Sequence, residues 1–403
     1  MIGLSATAVS CSASDVGVPQ AQVSDSASLR IVSYELGSAT IPVYRVVQDH
    51  DLEIGAREGA AEYTFSRIVD LALTPDDGLV VSDGDSHELR VFGGDGRHQA
   101  TIGRRGDGPG EFAGAPLVAG VSGDTVFTYD VRSGRTTSFL LNGGLIETIA
   151  LRSGTGNRIT SLHRLTDGSY WAVSPWIAAG RVTEVHDARL EVDSIVIERL
   201  SETGGVLDTV KVMADRSRLR IVQDGGAGRL SVIQADPPYL PQALLESNRI
   251  LVVAGRSDSF ELELTAASGD RTLLRVRGVD HPADADDIRR RQEAQIREDL
   301  GGRPPDPRTR QLLLDYLPHR LPAFAAVRIS EHGDVWVARS DFDDSSGYDW
   351  LVFAPTGELR GSVRTPPGIR LLAIRPHFIV GVATDDFDVP YIRRYPLAAP
   401  NEH

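Results

Sequence analysis

The stretch Ile68–Phe112 constrains the fold more than any other part of the chain. Four short apolar runs, Ile68–Leu73, Leu79–Ser82, Leu89–Phe92 and Gln99–Ile102, are separated by turn chemistry. In Pro75-Asp76-Asp77-Gly78 the proline presets φ, the aspartates bond nearby backbone, and Gly78 is expected to take a positive φ. Gly94-Asp95-Gly96 does the same before the fourth run. Runs at this spacing predict an antiparallel meander. A meander this small cannot bury both of its faces alone, so it needs neighbours built like itself.

The same stretch carries a family resemblance. Asp77-Gly78-Leu79-Val80-Val81-Ser82-Asp83, then Leu89-Arg90-Val91-Phe92, then Ile102-Gly103 and Gly106-x-Gly108-Pro109-Gly110-Glu111-Phe112 resemble one blade of an NHL-type β-propeller, with Ser82 and His87 where that family more often has Ala and Asn. The resemblance implies a fold. It implies no chemistry, because propellers of this kind serve many functions.

Further blades are expected along the chain. The second is Ala115–Leu151, the third runs from about Ile159 through Asp167-Gly168-Ser169-Tyr170-Trp171 to Val212, with an extra hairpin-like piece around Val182–His186, and a Gly- then Pro-rich connector covers Asp224–Pro238. Tyr239–Arg277 is the fourth, Ala323–Arg364 the fifth, and Gly368–Tyr395 a sixth with only three strands. Val43–Val47 and Asp51–Ile54 read as strands before the first blade, and one of them is expected to complete the sixth, removing the exposed edge. The expected class is all-β: a six-bladed β-propeller over 29–398, with a helical insertion at 282–318 between the fourth and fifth blades. In that insertion Asp284 or Asp287 starts a helix that Gly301-Gly302 ends, and Asp306-Pro307 opens another. A lid and a packed cover of apolar surface are both open readings of it.

Residues 1–28 read as a signal or lipobox remnant followed by a flexible Ser-, Ala- and Asp-rich tether over 12–28. Ala8-Val9-Ser10-Cys11 resembles a bacterial lipobox, and Cys11, the one cysteine in the chain, would carry the lipid. No basic segment precedes the short apolar run Ile2–Val9, so an ordinary tail is the alternative. One cysteine excludes an intrachain disulfide and a Cys-based zinc site. A net charge of −14 argues against a nucleic-acid partner, which needs a basic face.

The loops between second and third strands gather the acids. They read Asp83-Gly84-Asp85-Ser86-His87, Asp130-Val131-Arg132, Asp341-Phe342-Asp343-Asp344 and Asp385-Asp386-Phe387-Asp388, and propeller topology puts them on one face. Asp341, Asp343, Asp385 and Asp386 are the candidate metal ligands, and Ca²⁺ is the ion that carboxylates at flexible geometry would suit. No other cofactor is expected. The bland alternative is turn-forming acids that keep the rim soluble. Asp83, Asp85, His87, Arg104, Arg105, Asp130, Arg132 and the loop residue Trp176 are the candidate ligand-binding residues, the arginines as grips for an anion. Trp171, Trp336 and Trp350 fall on strand patterns and read as core.

The chain has no H-E-x-x-H, no G-x-S-x-G and no Walker loop. An exported binding module, in the periplasm or cell envelope, is therefore the first expectation, its partner a small molecule, a peptide or an envelope protein. A metal-dependent propeller hydrolase or lyase of the lactonase type is the alternative, and a structural scaffold is the third.

Overall fold

The computed structural model describes residues 19–176 (except 27 and 38), 189–222, 230–234, 243–245, 250–254, 260–278 (except 267), 324–339 and 347–400, with the single positions 290, 297 and 307. The described chain is all-β. It opens with β1 (Gln22–Ser26), β2 (Leu29–Glu35), β3 (Val43–Val46) and β4 (Leu52–Ile54), and a 3₁₀ turn at Ala61–Tyr63 follows. The meander of β5 (Ile68–Leu73), β6 (Leu79–Asp83), β7 (Glu88–Phe92) and β8 (His98–Ile102) comes next, a four-stranded sheet in chain order. A second such sheet comprises β9 (Pro116–Ser122), β10 (Thr125–Asp130), β11 (Arg135–Leu140) and β12 (Leu145–Ala150).

The third sheet has five strands: β13 (Ser161–Arg164), β14 (Tyr170–Trp176), β15 (Arg189–Leu200), β16 (Val206–Val222) and β17 (Leu230–Gln234). The fourth joins β18 (Ala243–Leu245), β19 (Ile250–Ala254), β20 (Phe260–Ala266) and β21 (Arg271–Arg277) to β2 and β1. The last continues from β22 (Phe324–Ile329), β23 (Val335–Arg339), β24 (Asp349–Phe353) and β25 (Leu359–Arg364), through β3, to β28 (Pro390–Ala398), β27 (Phe378–Thr384) and β26 (Arg370–Ile374). β4 also pairs with β28, Ile392 opposite Ile54.

The structure departs from four of the sequence expectations. The tether expected over 12–28 contains β1, which forms a hairpin with β2, and β2 runs parallel to β21 with Val32 opposite Leu274. Val32 and Tyr34 bury themselves against Leu262, Leu274 and Phe353, which is what holds this segment. The connector expected over 224–238 contains β17, because the alternating Leu-Ser-Val-Ile-Gln run pairs with β16 despite its Gly and Pro flanks. Trp176 ends β14, opposite Ser194, instead of lying in a loop. In the Pro75–Gly78 turn the positive φ belongs to Asp77, at 62°, and Gly78 is needed for close approach. A Cβ at Gly78 would lie 2.6 Å from the Phe92 carbonyl oxygen. The insertion at 282–318, but for positions 290, 297 and 307, and the extra piece around Val182–His186 lie outside the described residues, as do Cys11 and Asp341, Asp343 and Asp344.

The apolar core is divided into layers between successive sheets. Val80, Leu89 and Val91 of the first meander meet Val126 and Phe139 of the second. On their other side Leu71, Val81 and Phe92 meet Phe378, Val380 and Ile392. Trp336 and Trp350 are buried in the layer against Leu371, Ile379 and Tyr395. Each fully buried side chain of this size contributes about 1.5–3 kcal/mol, so each sheet depends on both neighbours. Among the first strands, β22 lies against β26, β26 against β5, β5 against β9, β9 against β13, and β13 against β18.

Candidate functional site

The glycine loop after β8 is organised by its own last two residues. Gly103 has φ 76°, and a Cβ there would lie 2.2 Å from the Phe112 ring, which is buried. The Glu111 carboxylate accepts from the Gly108 amide at 3.0 Å and from Arg104 Nε at 2.8 Å. These bonds hold its pKa below the ordinary carboxylate range. Arg104 is therefore engaged by Glu111 within its own loop.

The acidic loops follow one device. Asp83, at the end of β6, is fully buried and accepts from the amides of Ser66 (3.2 Å) and Arg67 (3.3 Å), just before β5. Arg90 of β7, itself buried, pairs with Asp83 at 3.2 Å and also donates to the Thr64 carbonyl. Asp130, at the end of β10, accepts from the amides of Ala113 (2.8 Å) and Arg132 (2.9 Å) and from the Ser133 hydroxyl (2.9 Å). Asp385 accepts from the amides of Phe387 (2.8 Å) and Val389 (3.1 Å) and from Arg57 Nε (2.6 Å). Partial desolvation pushes the Asp385 carboxyl up, but the Arg57 and backbone bonds outweigh it and take the pKa to about 2. In each case a carboxylate satisfies backbone donors that would otherwise lack partners.

The remaining candidates divide between contacts and solvent. His87 has φ 60°, a conformation tolerated by Asn and His. Its Nδ1–H donates to the Phe112 carbonyl at 3.0 Å, so that Nε2 accepts from Arg105 at 3.3 Å. Arg105 also donates to the Asp85 carbonyl, and the Asp85 carboxylate pairs with Arg67 at 2.9 Å. Arg132 and Asp386 are exposed. Arg57 lies 4.0 Å from the centroid of the exposed Phe387 ring. Asp85, His87 and Arg105 thus come together as one group, while Asp130 and Asp385 belong to separate ones. Among the described residues no three His, Cys, Asp or Glu side chains form a metal cage.

A second set of polar residues, absent from the candidates above, sits on the first strands. Asp70 follows a bulge in the β5–β6 ladder, where Ile68 opposes Asp83 and Asp70 opposes Ser82. Bulges re-aim side chains, and this one lets the Asp70 carboxylate accept from the Val118 amide of β9 at 2.8 Å. Arg370 of β26 donates to the Ile68 carbonyl of β5 at 2.7 Å. Arg328 of β22 donates to the Leu371 carbonyl of β26 at 2.9 Å. A directional relay results over three first strands, in which a side chain of β22, β26 and β5 in turn bonds the backbone of the next. Bulges also interrupt the β9–β10, β22–β23 and β26–β27 ladders.

These first strands have a distinct electrostatic character. Asp70 keeps some accessible area yet is surrounded by protein, and desolvation raises its pKa to about 6. The Val118 and Leu71 amides and the charges of Arg370 and Arg328 oppose that rise without cancelling it. Desolvation and the nearby Arg328 lower the pKa of Arg370. His163 of β13, two strands further on, is desolvated enough for its pKa to fall to about 4. A charged residue inside an apolar first strand, as in Ile68-Val69-Asp70-Leu71, Val327-Arg328-Ile329 and Ile369-Arg370-Leu371, is the signal that would have found this set.

No family model and no curated protein matches the sequence. Among solved structures, a candidate exported protein of Bacteroides fragilis aligns with a TM-score of 0.47 and 10% identity, over 92% of this chain and 99% of that one. Virginiamycin B lyase of Staphylococcus aureus aligns at 0.41 and 10%, over 88% and 99%. A gluconolactonase of Xanthomonas campestris aligns at 0.37 and 15%, over 88% and 100%. Scores and identities this low assign no activity or ligand to this chain.

Proposed function

We propose that this chain is an exported, six-bladed, NHL-like propeller that acts as a binding module, with its ligand at the inner wall made by the first strands. The blades are β5–β8, β9–β12, β13–β16, β18–β21, β22–β25, and β26–β28 with β4. Support for this count comes from the sheet order and from the succession of first strands lying side by side. The observation that carries the site is the relay of Asp70, Arg370 and Arg328, charged groups concentrated where blades meet, of which Asp70 and Arg370 are partly desolvated. Perturbed charged groups of this kind mark candidate binding sites.

The acidic face, expected to hold the ligand or a metal, is the weaker location. Asp83, Asp130 and Asp385 already satisfy several donors each, so calcium would have to displace backbone bonds. No cofactor belongs to this reading, and no nucleic-acid partner does either. Hydrogen exchange in the presence of a mixed panel of sugars, peptides, amino acids and organic acids tests the location. One class of compound should slow exchange at β5, β22 and β26. Protection confined to the acidic loops would return the site to the rim. Lactone hydrolysis above background with added Ca²⁺, Mn²⁺ or Zn²⁺ would favour the enzyme reading.

Export and anchoring rest on Cys11 within Ala8-Val9-Ser10-Cys11. Expressed with its natural upstream sequence, the protein should partition with membranes, and Cys11→Ala should release it. Stable anchoring needs more than one acyl chain. Equal soluble fractions for both versions would remove the lipid from the proposal.

A further inference from the structure

We propose that Phe387, supported by Arg57, is a docking anchor on the rim for a protein partner that presents an apolar patch bordered by lysine and arginine. The anchor is separate from the inner wall, and neither reading depends on the other.

Exposure is the first argument. Phe387 is the most exposed large apolar side chain among the described residues, at 69%. Single apolar side chains on a surface are ordinary, so exposure by itself assigns nothing. What sets this ring apart is that two distant parts of the chain hold it in place.

Fixation is the second argument. The Arg57 guanidinium stands 4.0 Å from the centroid of the Phe387 ring, and Arg57 Nε donates to one oxygen of Asp385 at 2.6 Å. The other oxygen of Asp385 accepts from the amides of Phe387 (2.8 Å) and Val389 (3.1 Å). One carboxylate thus fixes both the cation and the backbone that carries the ring. Asp388, the next residue, has φ 60°, a left-handed conformation that few non-glycine residues adopt. Strain of that kind persists only where the surroundings over-determine it. Arg57 reaches this place because Gly55 passes close to β28, where a Cβ would lie 2.8 Å from the Tyr391 ring. A ring and a guanidinium that are already ordered lose little freedom on binding. Aromatic and arginine side chains are also the types that anchor interfaces.

Charge names the partner. Arg57 is taken up by Asp385. Glu58 and Asp386, next to Arg57 and Phe387 in the chain, are exposed, as is Asp388, and none of the three forms an ion pair among the described residues. The complementary surface is therefore apolar at its centre and basic around it. A second copy of this chain, with a net charge of −14, matches that description poorly. Three carboxylates beside the ring also disfavour an anionic lipid surface.

Titration of the full chain with two synthetic amphipathic helical peptides tests this, one with a leucine face bordered by lysines and a twin with the same face bordered by glutamates. A third peptide keeps the lysines and replaces the leucines by serine, and so reports attraction by overall charge alone. The lysine-bordered peptide should bind about tenfold or more tighter than the serine peptide, and the glutamate-bordered twin should not bind. Phe387→Ala should cost the lysine-bordered peptide about tenfold or more in affinity and leave the serine peptide unchanged. Arg57→Ala should weaken the lysine-bordered peptide by less, although it makes the site more negative, because the ring loses its support. Glu58→Lys combined with Asp386→Lys should transfer the preference to the glutamate-bordered twin. Melting curves identify any damaged variant, and the double charge reversal then carries the decision if Phe387→Ala is the one affected. Failure of the lysine-bordered peptide to bind, equal affinity of wild type and Phe387→Ala, or equal binding of the twins would overturn the proposal. Self-association of the wild type that Phe387→Ala abolishes would overturn it too, because the occupant would then be a second copy.

Discussion

The rim and the inner wall both place aspartates against backbone amides, yet the two regions use them differently. At the rim, Asp83, Asp130 and Asp385 lie at the ends of second strands and bond amides of their own loop or of the segment leading into their own sheet. Along the inner wall, Asp70, Arg370 and Arg328 reach across to the backbone of a neighbouring sheet. A rim aspartate is thus matched by backbone donors, joined by Arg90 at Asp83, by the Ser133 hydroxyl at Asp130 and by Arg57 at Asp385. The inner-wall groups make their bonds across a sheet boundary instead, and desolvation shifts the pKa of Asp70 and Arg370. Carboxylate density alone is therefore a poor guide to a site, because a turn can use up every lone pair. Charged groups perturbed by desolvation are the better guide.

The largest expected effect comes from breaking the rim arrangement where it is most buried. Asp83→Ala would leave the Ser66 and Arg67 amides without their acceptor and Arg90 without its counter-ion, at a position with no solvent access. Removing one partner of a buried pair costs about 3–5 kcal/mol. Chemical denaturation should show a loss of that size. A loss below about 1 kcal/mol, the usual worth of an exposed pair, would mean that water reaches this carboxylate and that the rim is open to ligands after all.

Much of the scaffold was legible. The four runs in Ile68–Ile102 match β5–β8 to within one residue at each end, because proline, aspartate and glycine punctuate the apolar alternation. The G-x-G-P-G-E-F ending is explained by Phe112 packing on Gly103 and Glu111 gathering the loop. The candidate site was less legible, for identifiable reasons. An aspartate at a strand end has the same letter whether it caps a turn or awaits a metal, and the amides that Asp83 receives lie 16 and 17 residues earlier. Asp70, Arg328 and Arg370 stand within or beside apolar runs, whose pattern marks a strand and gives no sign of the charged exception. β1 escaped because its burial pattern is fully exposed, so no apolar alternation marks it.

A smaller effect separates two inner-wall groups that oppose each other. The pKa of Asp70 rises from 3.8 to about 6, so between those values the folded chain holds a proton that the unfolded chain releases. Its contribution therefore favours folding at the acid end and is lost as pH rises toward 6, by roughly 3 kcal/mol in all. The pKa of His163 falls from 6.5 to about 4, so in nearly the same window the unfolded chain takes up a proton that the folded chain refuses. That contribution is present above pH 6.5 and is lost on acidification, again by roughly 3 kcal/mol. Wild-type stability should be nearly flat between pH 4 and 6. Asp70→Asn should expose a loss on acidification, and His163→Gln a gain. Parallel profiles for all three proteins would show that water reaches both groups freely, and the contrast with the rim would disappear.

The smallest effect belongs to the rim and has the sign opposite to that of Asp70. Asp385 is held at about pKa 2 against an ordinary 3.8, although desolvation alone would raise it, because Arg57 and the amides of Phe387 and Val389 favour the charged form. A lowered carboxyl stabilises the fold above pH 4, and that contribution is lost as pH falls through 3 toward 2. Asp385→Asn should therefore flatten only the acid limb below pH 4 and leave the window from 4 to 6 untouched. Arg57→Ala should flatten it partly, since the two amides remain. It should also change the environment of Phe387, whose ring it covers at 4.0 Å. Added salt should shrink the Arg57→Ala difference, since half of the Arg57 side chain is exposed, at 49%, and exposed pairs are screened. A salt-independent difference, or one reaching into the window from pH 4 to 6, would mean that Asp385 is coupled to the inner wall and that the two regions form a single electrostatic unit.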